Sequence, residues 1–332
     1  MLTRRLTFLL SARISFISNT QRVERSIATN LFCAVVRSGC SWNPFPSLIT
    51  RQPDAVSGAL FTKCPMTNWS FVFFQWFRRD LAGRYRGSWL GLAWPVIQPL
   101  AQVLVFTLIF HGFMQIKWPV RETVPLADVA VNNADWLYGA NVLAGMSVFN
   151  FFAEILGRAP SVVLSQPNLV LKVKFPLVVL PAVTASSALV HILVGAGITC
   201  MASLWFGTAS VHLLWLPLWL LPVVLYGLGI ACLLACLGVY VRDLVQAMPA
   251  VTSLLMFLSP IFYPLSSVSS GLQKFFLFNP LSWAIESLRS ILFSAEPMDL
   301  AAWGFHLFFS LICIGVAWAV FSRLKSGFSD VL

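Results

Sequence analysis

The chain has 332 residues, 58% hydrophobic and 10% charged, with 22 lysines and arginines against 12 acids and a formal net charge of +10. Soluble domains carry roughly a quarter charged residues, so there are too few charges here to cover a water-soluble globule of this length. The apolar residues gather in blocks of the roughly 20 residues needed to cross a bilayer, which predicts a polytopic membrane protein.

Residues 1–65 differ in character from the rest of the chain. They are rich in Ser and Arg, contain only Glu24 and Asp54 as acids, and hold three of the seven cysteines. A transit peptide has this Arg-rich, acid-poor composition. A disordered extension or a mis-called start has it too, and that is the reading taken, because Met66 opens the ordered-looking sequence MTNWSFVFFQWF. The apolar run LFCAVV (31–36) is too short to span.

Over 66–88 the spacing predicts an amphipathic helix at the cytosolic interface. Trp69, Phe73, Trp76, Phe77, Leu81 and Tyr85 recur at helical spacing and oppose Arg78, Arg79 and Arg86, with Arg84 between them. Such a helix lays its rings at the acyl boundary and its guanidiniums among anionic headgroups, each arginine contributing about 1 kcal/mol. The cluster either fixes topology or marks a moving or docking face.

Six blocks of spanning character come next, at about 89–114, 137–157, 177–206, 211–239, 250–265 and 300–322. None alternates with period two, so the expected fold is all-α with six transmembrane helices rather than a barrel. The first block carries Pro95 and Pro99, and the short fifth carries Pro260 and Pro264 in SPIFYP. Such breaks persist in a membrane only where neighbours or a wet cavity satisfy the freed backbone groups. Blocks three and four are separated by GTAS (207–210) and read as a helical hairpin. The stretch 266–299 is too apolar for an ordinary loop and reads as re-entrant or interfacial helices. Eighteen lysines and arginines fall on 1–88, 158–176, 240–249 and 323–332, against four on the alternate segments. This asymmetry places both termini, including the 326–332 tail, in the cytosol. It also accounts for the net charge without nucleic acid, since no basic stripe carries interleaved stacking rings.

Ionisable residues inside spans are functional suspects. Glu154 and Arg158 form an i, i+4 pair with the acid N-terminal, placed near the cytosolic surface, and Glu286 and Arg289 an i, i+3 pair. His191 is expected near mid-membrane, bonded to a neighbouring helix. Cys232 and Cys236 lack the further ligands of a metal site and read as small packing residues. Gly227 and Gly229 mark close helix approach. Thirteen tryptophans and 28 phenylalanines exceed what interfacial anchoring requires. Trp89, Trp94, Phe149, Phe151 and Phe152 are therefore candidates for an aromatic channel lining on which sugar rings could stack. No GxxxxGK[ST] string occurs, so ATP-driven work needs another chain. A membrane glycosyltransferase or acyltransferase is disfavoured by the lack of a DxD pair and of an HxxxxD pair.

The stretch RRDLAGRYRGSWLGLAWPVIQPL (78–100) resembles the opening signature of the ABC type-2 permeases that export polysaccharides. AGMSVFNFFAEILGRAPSVVLSQPNLVLKVKFPLVVLP (144–181), VRDLVQAMPAVTSLLMFLSPIFYPLSS (241–267) and LFNPLSWAIESLRSILF (277–293) resemble later parts of that family, in order. The resemblance implies a permease domain over 89–325 that forms a homodimer with two copies of a separate ATP-binding subunit. ATP and Mg would be bound there, with no cofactor held by this chain. It also implies an inner-membrane location, outer-face re-entrant helices and a lipid-linked glycan such as O antigen as substrate. An ABC type-2 permease for drugs or small hydrophobic molecules is the alternative. On this reading Pro167, Asn168, Leu169, Lys172 and Lys174 form an ATPase-coupling lever, and Arg78, Arg79, Arg84 and Arg86 meet the lipid pyrophosphate.

Overall fold

A computed structural model of the chain describes residues 69–85, 88–115, 134–171, 175–205, 211–269, 271, 273, 276, 278–294 and 297–331. The 1–65 extension, Arg86, the GTAS linker, Lys172 and Lys174 lie outside these. The described residues are helical, with no strand among them.

Helix α1 (Trp69–Tyr85) comes first. A 3-10 turn (Gly91–Ala93) leads into α2 (Trp94–Phe106), which continues as a π-helical stretch (Thr107–Phe113). The regular helix begins at Trp94 rather than 89 because Pro95 suits a first turn, where an N–H is not needed. Pro99 sits inside α2 and denies the Pro95 carbonyl its i+4 partner. Helix α3 (Ala134–Val162) runs five residues past the expected end of its block, and α4 (Pro167–Leu171) is a single short turn. Then come α5 (Val179–Trp205), a 3-10 turn (Val211–Trp215) and α6 (Leu216–Tyr240).

Helix α7 (Leu244–Phe257) is followed by bends, then α8 (Pro280–Arg289), a π-helical stretch (Ser290–Ser294), α9 (Leu300–Leu324) and α10 (Phe328–Val331). The N-cap of α8 is Asn279, whose side chain accepts from Leu281 N–H at 3.0 Å, and Asp299 caps α9 likewise. These caps and Pro280 at the first turn fix where the two helices start.

Among the described residues, five helices are long and apolar enough to cross a membrane: Trp94–Phe113, Leu137–Val162, Val179–Trp205, Val211–Tyr240 and Leu300–Val331. The block at 250–265 departs from the expected continuous span. Its helix starts six residues earlier, at Leu244, and ends at Phe257, before the prolines of SPIFYP.

Helix α3 is the hub, packing against α2, α5, α6, α7 and α8. Its apolar window is 78% buried, against 6% for the first spanning helix and 22% for the last, which turn apolar faces outward. Two glycines let α6 lie between neighbours. A Cβ on Gly227 would collide with the Phe151 ring of α3, and one on Gly229 would lie 2.7 Å from Cys313 Sγ of α9. Cys232 and Cys236 are buried free thiols in the same helix.

The break after α7 leaves three consecutive carbonyls without helical partners, and side chains take them up. Arg289 Nη1 donates to Pro260 O at 2.6 Å and Nη2 to Ile261 O at 2.7 Å. Tyr138 Oη on α3 donates to Phe262 O at 2.9 Å. Arg289 also reaches Asn141 O through Nε and Nη2, both at 3.1 Å. Glu286 Oε1 lies 3.0 Å from Nη1, so the local ion pair is one contact of a larger clamp.

Arg289 is 4% exposed in this pair and Glu286 35%. Replacing Arg289 with Met strands two buried carbonyls at about 1–3 kcal/mol each, so thermal unfolding in detergent is expected to shift down by roughly 5 °C or more. Glu286→Gln, at a half-exposed site, is expected to shift it by about 2 °C at most.

Candidate functional site

Helix α1 packs on α5. At i, i+3 and i, i+4 spacing, Phe73, Trp76, Phe77, Asp80, Leu81 and Arg84 share its half-buried face, while Trp69 and Phe74 point outward, 57% and 62% exposed. The Trp76 ring meets Phe175 at 5.4 Å, and the Arg79 guanidinium lies 4.3 Å above the Trp76 ring.

The inward face carries charge, and it meets charge. Asp80 accepts both arms of Arg158 on α3, at 3.1 and 2.5 Å. Arg84 lies 3.4 Å from Asp80, pairs with Glu154 on α3, and donates to Ser187 Oγ on α5 at 2.7 Å. Arg158 Nη1 is 2.9 Å from Glu154 Oε1, and His191 Nε2 on α5 is 2.7 Å from Glu154 Oε2. Two carboxylates, two guanidiniums and an imidazole from three helices therefore form one network.

Burial opposes ionisation of Asp80. The bonds and charge of Arg158, with the Ser187 bond and the Arg84 charge behind them, overcome that and hold its carboxyl below the ordinary value. Beside the network lies a cleft of about 720 Å³ lined by Arg79, Asp80, Arg84, Gln98, Asn150 and His191 among others. Asn150 Nδ2 donates to Gln102 Oε1 at 3.1 Å, tying α3 to α2 across it. Among the described residues, no three His, Cys, Asp or Glu side chains are grouped so as to hold a metal ion.

The other candidates are spread out. Arg78 and Arg79 are exposed, whereas Arg84 is committed to carboxylates. Trp89 is 98% exposed, and Trp94 is exposed with its Nε1 donating to Ser88 Oγ at 2.6 Å. Phe149, Phe151 and Phe152 are buried in the main core. Pro167 and Asn168 are exposed on α4, with Leu169 half-buried beneath.

Sequence reading missed Asp80 and Ser187, and it separated His191 from Glu154. The missing signal was the i, i+4 order of Asp80 and Arg84, which offered a pair within the helix. Counting about 1.5 Å per residue from Leu137 sets Glu154 near the cytosolic surface, apart from His191 at mid-membrane. With α3 running to Val162, it sits eight residues, about 12 Å, before the helix end, level with His191.

Residues 72–293 match the family described as ABC-2 type transporter. The chain is similar to an O-antigen export system permease protein RfbA of Myxococcus xanthus, 25% identical over 262 residues, covering 76% of this chain and 92% of that protein. Two proteins of the same description from Klebsiella pneumoniae are 23% and 22% identical over 256 residues, with the same coverage. Every member of the ion-pair network falls inside the matched region.

Asp80→Asn is expected to raise hydrogen exchange across residues 69–85 severalfold while leaving α3 and α5 protected. A carboxyl lowered in the folded state contributes stability that is complete above its unfolded value and lost as pH falls through the folded one. Exchange of α1, corrected for intrinsic rate, should therefore stay flat from about pH 8 to about pH 5 and rise only below about pH 4.

Proposed function

The chain belongs to the ABC-2 type transporter family, and from that premise we propose that it is the permease subunit of an ATP-driven exporter of a lipid-linked surface polysaccharide. The observation that carries this reading is an alignment that covers 92% of the length of relatives named for O-antigen export and 76% of this chain. A homodimer of permeases works with two copies of an ATP-binding subunit, which holds ATP and Mg.

The subunit crosses the bacterial inner membrane six times, with both termini cytosolic. Helix α7 and the bends after it make the additional crossing, in which Arg289 and Tyr138 satisfy the carbonyls left free by the break. The basic asymmetry of the loops supports the orientation. Helix α1 then lies in the cytosolic interface, and α8 with the segment before it forms re-entrant helices at the outer face.

Movement begins at α4, the coupling lever, whose exposed Pro167 and Asn168 face the ATPase, with Lys172 and Lys174 next in the chain. Closure of the motor shifts α4 and the adjoining ends of α3 and α5. The ion pairs carry that shift to α1, and a path widens between the two permease copies. Arg78, Arg79 and Arg86 receive the lipid pyrophosphate by charge-assisted hydrogen bonds. Arg84 instead holds α1 in place. Trp89 and Trp94 offer rings to the sugar faces.

Deleting the gene from its host should abolish surface polysaccharide and leave lipid-linked glycan inside the cell, with complementation restoring export. The double change Arg78→Gln/Arg79→Gln should lower export about tenfold at matched protein level while the ATPase still co-purifies. Unchanged surface polysaccharide after deletion would remove the substrate class, and unchanged export in the double variant the pyrophosphate role.

A further inference from the structure

A second buried cluster lies apart from the main core, where α4 meets the bundle. Val239, Phe321 and Phe328 are among its buried members, and Trp76, Leu169 and Val170 pack against it. It thus joins α6, α9, α10, α1 and α4. Phe328 is fully buried although it lies beyond α9, separated from it only by the turn Lys325–Gly327. Its ring is 5.7 Å from Phe321 and 6.0 Å from Tyr240.

Polar contacts hold the segment on the same spot. Tyr240 Oη donates to Leu324 O at 2.8 Å, and Arg242 Nη2 reaches Val331 O at 3.5 Å. Helix α10 packs against both α4 and α6. Helix α4 has five residues, far short of the roughly 12–15 an isolated helix needs in water, so its orientation is set by whatever lies beneath it.

We propose that Phe328 is a positioning residue for coupling: with Tyr240 it forms the seat on which α4 rests, so that displacement of α4 reaches α6, α9 and, through Trp76, α1. The residues after α9 are then part of the transmission and not a loose tail. This rests on the reading of α4 as the lever driven by the ATPase. A seat differs from a merely structural contact in what its loss does. Without it α4 still binds and is still moved by the motor, but the motion is taken up locally, so ATP is hydrolysed without export.

The test is the ratio of surface polysaccharide exported to ATP hydrolysed, in a deletion strain complemented with each variant and in the complex purified from it. For Phe328→Ala the ATPase should remain bound and its hydrolysis stay within about twofold, while export per ATP falls about tenfold. Phe328→Leu should restore most of it. Tyr240→Phe keeps the ring at an exposed site and removes one hydrogen bond, and should lower the ratio two- to fivefold, roughly.

If Phe328→Ala does not reach the membrane, Tyr240→Phe decides by the same ratio. An unchanged ratio in the variants, or hydrolysis and export falling together, would overturn the proposal. A wild-type chain that neither co-purifies with an ATPase nor exports polysaccharide would overturn the functional reading instead.

Discussion

A charge withdrawn from water must be met by an opposite charge, and five side chains in this protein obey that rule together. Asp80 and Glu154 face Arg84, Arg158 and His191 across three helices. Removing one member of a desolvated set costs more than assembling the set gains, because the partners stay behind uncompensated. The network therefore specifies where α1 sits more than it stabilises the fold. Packing alone would not choose that position: apolar residues stand on both faces of α1, and Trp69 and Phe74 point away from the bundle. Fixing the helix through its charged stripe orients Arg78 and Arg79 outward and sets Arg79 at the cleft.

The same constraint governs the backbone. Where SPIFYP leaves the helix, three successive carbonyls are released, and Arg289 and Tyr138 receive them. A guanidinium suits this task because its planar fork offers several donors without an acceptor to satisfy in return. Glu286 balances the charge at the rim. The protein can thus interrupt a helix next to its central one, α3, without leaving polar groups stranded, and the interruption gives α8 its place against that hub.

Much of this was legible in the sequence. Apolar block length located the spanning helices at Leu137–Val162, Val179–Trp205 and Val211–Tyr240 to within a few residues, because hydropathy reports length directly. The i, i+4 and i, i+3 spacings brought Glu154 to Arg158 and Glu286 to Arg289. What could not be read was facing. Phe149, Phe151 and Phe152 lie on a helix that neighbours surround, so no apolar stripe separates a channel side from a core side. Arg84 sits among arginines that do face outward, and only the tertiary approach of Glu154 shows that it turns in. His191 and Glu154 come from different helices, whose relative register no single-chain pattern records. Phe328 falls in the 326–332 tail, where its neighbours in sequence, Gly327 and Ser329, give no sign of the apolar residues that bury it.

The chain belongs to the ABC-2 type transporter family, and under the proposed function it transmits force that a separate ATP-binding subunit generates. ATP hydrolysis by the purified chain, measured alone and again with whatever subunit co-purifies from native membranes, tests this most directly. The 332-residue chain by itself should show no turnover, and the complex should show turnover that vanishes when the companion's P-loop lysine is replaced. Hydrolysis by the chain alone, or hydrolysis by the complex that survives loss of that lysine, would contradict it.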